Sequence, residues 1–237
     1  MNWTLEELME PGFAIELNKV TKSYTEAGRD QWIFRELSVR IPQGELLVLL
    51  GRSGSGKSTL LNLISGIDSP NSGDIVIGNL NLTDLPEKDR TLYRRKHIGF
   101  VFQAYNLIPT LTVRENLLLP LELNHFPRES HAPKIDSLLQ EIGLETRANE
   151  FPDRLSGGEQ QRVAVARALV HDPEIILADE PTGNLDLETG RKVLELLDRC
   201  VRKSGKTLIM VTHSEEVIGR ADRVLTIRDY GLSRSDG

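Results

Sequence analysis

The sequence predicts an α/β fold with a central, mainly parallel sheet, an N-terminal antiparallel β subdomain and an inserted helical subdomain. Three short apolar runs predict the sheet: Leu46–Leu50, Ile175–Ala178 and Leu208–Val211. None alternates between apolar and polar residues, which is how strands covered on both faces by helices read. Each run leads straight into polar residues, at Gly51, at Asp179-Glu180 and at Thr212-His213. Ligands of open α/β sheets gather at the carboxyl ends of strands, so these three tips are expected to line one site.

The elements follow in order. Ala14–Val20 and Leu37–Ile41 read as antiparallel strands packed to the side. A helix is expected directly after the glycine-rich stretch 51–58. Thr112–Leu123 and Ala132–Ile142 read as helices separated by the polar, proline-containing stretch Asn124–Pro133. Another helix begins after Ser156-Gly157-Gly158, with Val163, Ala166 and Val170 recurring on one face. The amphipathic segment carrying Val193, Leu197, Cys200 and Val201 ends at the turn Ser204-Gly205. The expected organisation is one domain over 1–237. Residues 1–90 and 166–237 form its core with the β subdomain, and 91–165 form the helical subdomain.

Composition narrows the class. At 237 residues, 39% hydrophobic and 27% charged, the chain is long enough for a sizeable core and reads as an ordinary soluble protein. Lys and Arg total 29 against 35 Asp and Glu, so the net charge of -6 gives no global attraction to nucleic acid or anionic lipid. Cys200 is the single cysteine, so no intramolecular disulfide forms. The start, Met1 to Leu8, is acidic and lacks the basic-then-apolar pattern of a secretory signal. No apolar run approaches the roughly 20 residues of a membrane-spanning helix, so any membrane role is expected to run through a partner.

Gly51-Arg52-Ser53-Gly54-Ser55-Gly56-Lys57-Ser58 fits G-x-x-x-x-G-K-[ST]. Glycines let backbone N–H groups turn inward, the next helix adds its positive end, and Lys57 adds a full charge. Ser58 offers a hydroxyl to Mg²⁺, and Thr59 continues the turn. An apolar strand before and a helix after make this the phosphate cradle of a P-loop NTPase core, which binds a nucleoside triphosphate.

Asp179-Glu180 ends the second apolar run. Successive strand side chains diverge, so adjacent acids divide two tasks: Asp179 toward hydrated Mg²⁺ and Glu180 toward an attacking water. Alone, such a pair is equally an acidic strand end starting a loop. Leu155-Ser156-Gly157-Gly158-Glu159-Gln160-Gln161-Arg162 sets a serine and two glycines before a helix, a second N-terminus suited to an anion and, without context, an ordinary helix cap.

That octet matches the signature of ABC ATPases, and from about Ile15 to Ile227 the chain resembles ABC transporter ATP-binding subunits. Gln103, after the apolar Ile98–Phe102, resembles the Q-loop glutamine; Asn184-Leu185-Asp186 resembles the D-loop; His213 resembles the switch histidine; Tyr24 resembles the aromatic that stacks on adenine. The resemblance implies that Lys57 and His213 contact the γ-phosphate and that Gln103 approaches metal and water while sensing a membrane partner. It implies ATP and Mg²⁺ as ligands and a homodimer on ATP binding. Ser156, Gly157, Gly158 and Glu159 of one copy then cap the ATP held by the other, with Asp186 nearby. It also implies an integral membrane permease subunit as partner, no nucleic acid, and a cytoplasmic position peripheral to the inner face of the membrane.

Tyr93–Gln103, Leu111–Asn116 and Pro181–Asp186 resemble the lipoprotein-release and macrolide-export branch, which implies export or extraction of a lipoprotein, peptide or drug-like substrate. The alternative is an ABC ATPase that passes a mechanical or regulatory signal through its membrane partner. Ser214 stands where the family usually has Asp, and Arg52 where Pro or Glu is frequent. His97, His125, His131 and His171 show no metal-ligand spacing and read as packing or surface residues, as do Trp3 and Trp32. The basic run Lys88, Arg90, Arg94, Arg95, Lys96 reads either as a solvated helix face or as a contact for the membrane subunit.

Overall fold

The computed structural model describes residues 13–26 and 28–234, so the readings of Met1–Leu8 and of Trp3 lie outside it. The chain divides into two compact units, 1–94 with 207–237, and 95–206.

In the first unit, β1 (Phe13–Glu26) and β2 (Arg29–Pro42) pair antiparallel over nearly their whole length, longer than the apolar patches alone indicated. With β4 (Ser72–Ile77) and β5 (Leu80–Asn81) they form an antiparallel sheet in the order β2-β1-β4-β5. This is the expected N-terminal β subdomain. The second sheet of this unit centres on β3 (Leu46–Leu50), flanked by β8 (Thr207–Val211) and β9 (Arg223–Arg228), both parallel to it. β10 (Gly231–Arg234) turns back antiparallel on β9 and makes the sheet mixed.

Residues 46–49 and all of β8 are buried, which accounts for the unbroken apolar runs 46–49 and 208–211, while the hydroxyl of the buried Thr207 accepts from the Gly44 N–H at 3.0 Å. α1 (Lys57–Ile64) buries Leu60, Leu61, Leu63 and Ile64 in this unit. At roughly 1.5–3 kcal/mol gross for each side chain, that anchorage fixes the helix whose N-terminus carries the cradle. The short α7 (Glu215–Ile218) follows β8, with Ser214 as its N-cap residue.

α2 (Glu87–His97) carries the chain into the second unit. Its basic run is not one solvated face. Arg90 donates to Glu87 at 2.7 Å and to the Ser69 hydroxyl, and Arg94 donates to the Ser65 carbonyl at 3.3 Å. Lys88 and Lys96 stay exposed.

The second unit pairs β6 (Ile98–Phe102) parallel with β7 (Ile175–Asp179) and holds α3 (Val113–Leu123), α4 (Arg128–Glu141), α5 (Gly157–Leu169) and α6 (Leu187–Lys203). α4 corrects the sequence reading, which left Asn124–Pro133 as a loop. The helix starts at Arg128 and contains Pro133. Pro133 is exposed, as is Glu129 whose carbonyl it deprives of a donor, so the lost bond falls on the solvent side of the helix, where proline is tolerated. On α5, Val163 and Ala166 are fully buried, as the period required, and on α6 so are Val193 and Leu197.

Candidate active site

The cradle forms where β3 leaves the sheet. Gly56 is the N-cap of α1 at φ 103, a left-handed conformation, and a Cβ there would lie 2.5 Å from Ile33. Only glycine fits both demands. No side chain caps this helix, and its first turn holds no acid, so its N–H groups and dipole are left for an anion. Lys57 is buried and arches back over the loop, its Nζ donating to the Gly51 carbonyl at 2.8 Å and to the Arg52 carbonyl at 3.0 Å. The Ser55 N–H closes the turn on the Arg52 carbonyl at 3.1 Å. Arg52, Ser53, Gly54 and Ser58 are exposed, and Thr59 is half-buried.

Two other predicted residues belong to this unit. Val211 of β8 stands opposite Leu49 of β3 in parallel register, so the strands deliver Gly51 and His213 to the same edge. Tyr24, 38% exposed, donates its hydroxyl to Asp68 Oδ2 at 2.6 Å, while the Lys22 ammonium lies 4.7 Å from the ring centroid. Burial and that hydrogen bond raise the phenol above its ordinary pKa, so it remains a donor at neutral pH.

The second unit gathers the remaining residues around the ends of β6 and β7. β7 ends on Asp179, paired with Phe102. Glu180 lies beyond the strand at φ 45, with the Gly183 N–H donating to its carbonyl at 3.0 Å. Glu180 therefore leaves the strand through a left-handed turn, so strand alternation does not relate the two acids, which corrects the reason given from the sequence. A non-glycine residue held there stores about 1–3 kcal/mol of backbone strain. Gln103, just past β6, is linked to Asn184 by hydrogen bonds at 3.1 and 3.0 Å.

The signature octet caps its own helix. Ser156 Oγ accepts from the Glu159 N–H at 3.3 Å, and its N–H and hydroxyl both donate to Glu159 Oε2 at 2.8 Å. Those donors hold the Glu159 carboxyl below the usual carboxylate range. Asp186 likewise caps α6, accepting from the Thr189 N–H at 3.0 Å, and this lowers its pKa.

Sequence reasoning missed the residues that organise this unit. Gln161 is completely buried, and its Nε2 donates to the carbonyls of Phe102 and Pro181, the residues flanking Gln103 and Glu180. Arg167 donates to the carbonyls of Tyr105 and Asn106, both at positive φ just after Gln103. The fully buried Asn116 donates to the Ile108, Leu111 and Thr112 carbonyls and accepts from the Ile108 N–H. One sign was readable: Gln161 falls at the phase of Gly157, Val165 and Ala168, an apolar face on which a glutamine must find partners.

Comparison with known proteins decides the family. The model of the family described as ABC transporter matches residues 34–183. The chain belongs to that family. An uncharacterised ABC transporter ATP-binding protein of Mycobacterium tuberculosis (strain H37Rv) is 50% identical over 214 residues, 90% of this chain and 86% of that protein. The lipoprotein-releasing system ATP-binding protein LolD of Syntrophus aciditrophicus is 43% identical over 215 residues, covering 91% and 96%. A solved dimer of the ATP-binding cassette MJ0796, in a post-hydrolysis state with ADP and Pi, has a TM-score of 0.84 at 40% identity, covering 94% of this chain and 99% of that one. MJ0796 comes from Methanocaldococcus jannaschii.

The architecture is that of the family's ATPases: a P-loop NTPase fold with a mixed sheet, an N-terminal antiparallel subdomain and helical insertions. The chain is an ATP-binding and ATP-hydrolysing ABC transporter subunit. Among the described residues no helix is long and apolar enough to cross a membrane.

Proposed function

We propose that two copies of this chain close around two ATP molecules and that closure drives a separate integral membrane permease subunit. The observation that carries this reading is the pair of glycine-containing helix N-termini, at α1 and at α5, of which a chain needs only one for its own nucleotide. In this reading Ser156, Gly157, Gly158 and Glu159 of the second copy seal the γ-phosphate, with Asp186 beside them. The dimeric form of MJ0796 supports it.

Within each copy the 51–59 loop grips the phosphates through its backbone N–H groups, Lys57 and His213 meet the γ-phosphate, and Tyr24 stacks on adenine. Glu180 orients a water and accepts its proton as the water oxygen bonds to the γ-phosphorus and the bond to the β–γ bridging oxygen breaks. In this reading the hydroxyl of Ser58, the carboxamide oxygen of Gln103 and the carboxylate of Asp179 would hold Mg²⁺, each offering oxygen, the donor type that ion takes alongside water and phosphate. Bound Mg²⁺ supplies neutralisation of the phosphate charge. Loss of the γ-phosphate removes the bridge between copies, and the pair opens.

The whole chain acts as one ATPase domain, with 91–165 as its helical subdomain. It works at the cytoplasmic face of the membrane, touching the bilayer only through its partner. Similarity to LolD supports the lipoprotein-release and macrolide-export branch, with a lipoprotein, peptide or drug-like cargo.

Glu180→Gln tests this reading. Hydrolysis is expected to slow by roughly 100- to 10,000-fold, about 3–5 kcal/mol of barrier, while ATP binding persists. With Mg-ATP the variant then elutes from size-exclusion chromatography as a dimer; a monomer at saturating nucleotide overturns the closed pair.

A further inference from the structure

The loop that follows α1 reaches back to β1 through one carboxylate. Asp68 Oδ1 accepts from Lys22 Nζ at 2.6 Å and from the Ser69 N–H at 2.7 Å, while Oδ2 accepts the Tyr24 hydroxyl at 2.6 Å. Lys22 is buried, and its Nζ also donates to the Ser69 carbonyl at 2.9 Å. Burial opposes ionisation of Asp68, but its three donors outweigh burial and hold the carboxyl below the usual carboxylate range.

Three consequences follow for Tyr24. Its hydroxyl is held by Asp68, so the ring does not turn freely about its side-chain bonds. One ring face carries the Lys22 ammonium, which leaves the opposite face for a flat, electron-rich partner. Asp68 lies in the segment that directly follows α1, so its bond ties the ring to the end of the helix that holds the phosphate cradle.

We propose that Lys22 and Asp68 are positioning residues for the nucleotide base: they present a single face of Tyr24 to adenine and set its spacing from the cradle. This rests on the reading of Tyr24 as the base platform. Lys22 and Asp68 touch the ring and not the nucleotide. A ring already fixed in its stacking pose loses little further freedom on binding, so affinity for the base depends on what fixes it.

The test is steady-state hydrolysis of ATP together with competitive inhibition by inorganic tripolyphosphate, which has no base. Asp68→Ala and Lys22→Met are expected to raise KM for ATP about 5- to 30-fold, the scale of a weakened base–aromatic stack. Their kcat stays within about twofold and their tripolyphosphate inhibition constant is unmoved, because the cradle is untouched. Tyr24→Phe, which keeps the ring and removes only the hydroxyl, should match Asp68→Ala. Adding Asp68→Ala to Tyr24→Ala should change KM no further, since the carboxylate acts only through the ring.

If Tyr24→Ala leaves KM for ATP unchanged, the platform reading fails and the positioning role fails with it. If Tyr24→Ala raises KM while Asp68→Ala, Lys22→Met and Tyr24→Phe do not, the platform stands and the positioning role is overturned. A tripolyphosphate inhibition constant that rises in step with KM, or additive effects in the double variant, also overturns it by pointing to general distortion.

Discussion

Gln103 and Asn184 hold each other reciprocally: Gln103 Nε2 donates to Asn184 Oδ1 at 3.1 Å, and Asn184 Nδ2 donates to the Gln103 carbonyl at 3.0 Å. Gly183 makes room for the pair, since a Cβ there would lie 2.6 Å from that Nε2. The pair is exposed, so each deletion is expected to cost only about 1 kcal/mol. In a double-mutant cycle by urea denaturation, Gln103→Ala and Asn184→Ala should be non-additive by about 0.5–1 kcal/mol. Simple additivity means the contact carries no energy.

Gln161 presents a harsher case because its amide is completely buried. Gln161→Leu keeps the volume but removes the donor to the Pro181 carbonyl and leaves the Phe102 carbonyl with the Tyr105 N–H, at an expected cost of about 1–3 kcal/mol of stability. Those carbonyls flank Gln103 and Glu180, so ATP turnover should fall further than nucleotide binding does. A variant with full turnover and an unshifted urea midpoint refutes this role.

Ser156 separates helix capping from action on a second copy. Aspartate still caps the Glu159 N–H but loses the hydroxyl that Ser156 donates to Glu159 Oε2, so Ser156→Asp is expected to cost about 1–2 kcal/mol, well short of unfolding. It sets a new negative charge beside Glu159, where the partner's γ-phosphate would arrive. Binding of ATP to the monomer should persist by calorimetry while turnover and ATP-dependent dimerisation are lost. Retained turnover in this variant is incompatible with a trans-acting serine.

His171 makes stability depend on pH. Burial holds its pKa down at about 4 from the ordinary 6.5, with Lys206 adding to the effect against the pull of Glu174 and Asp172. Between those values the unfolded chain binds a proton that the folded chain does not, so stability falls as the pH drops below 6.5. The expected loss from this residue is about 2 kcal/mol between pH 7.5 and pH 5. Denaturant midpoints at the two pH values measure it, and His171→Leu should flatten the difference by that amount. An unchanged difference in the variant assigns the dependence to other groups.

Most of the fold was legible because its signals are local. A strand covered on both faces must be apolar where no hydrogen bond serves it, and Leu46–Leu49 and Leu208–Val211 are. A phosphate loop needs glycine wherever a side chain would collide, as at Gly56. The start of α4 was hidden because Pro133 looks like a helix breaker unless the chain is known to face water at that point. The strain at Glu180 was hidden too, since no feature of Ala-Asp-Glu-Pro announces a residue at φ 45.

By itself the sequence determined the family, the cradle, the paired acids and the signature helix, because each is a short run whose chemistry depends on adjacent residues. The tertiary structure alone decided which distant polar groups hold those runs in shape: Gln161 on the Phe102 and Pro181 carbonyls, Asn184 on Gln103, and Asp68 on Tyr24. The reason is that a tertiary hydrogen bond takes whatever partner folding brings within about 3 Å, and sequence separation carries no record of that choice.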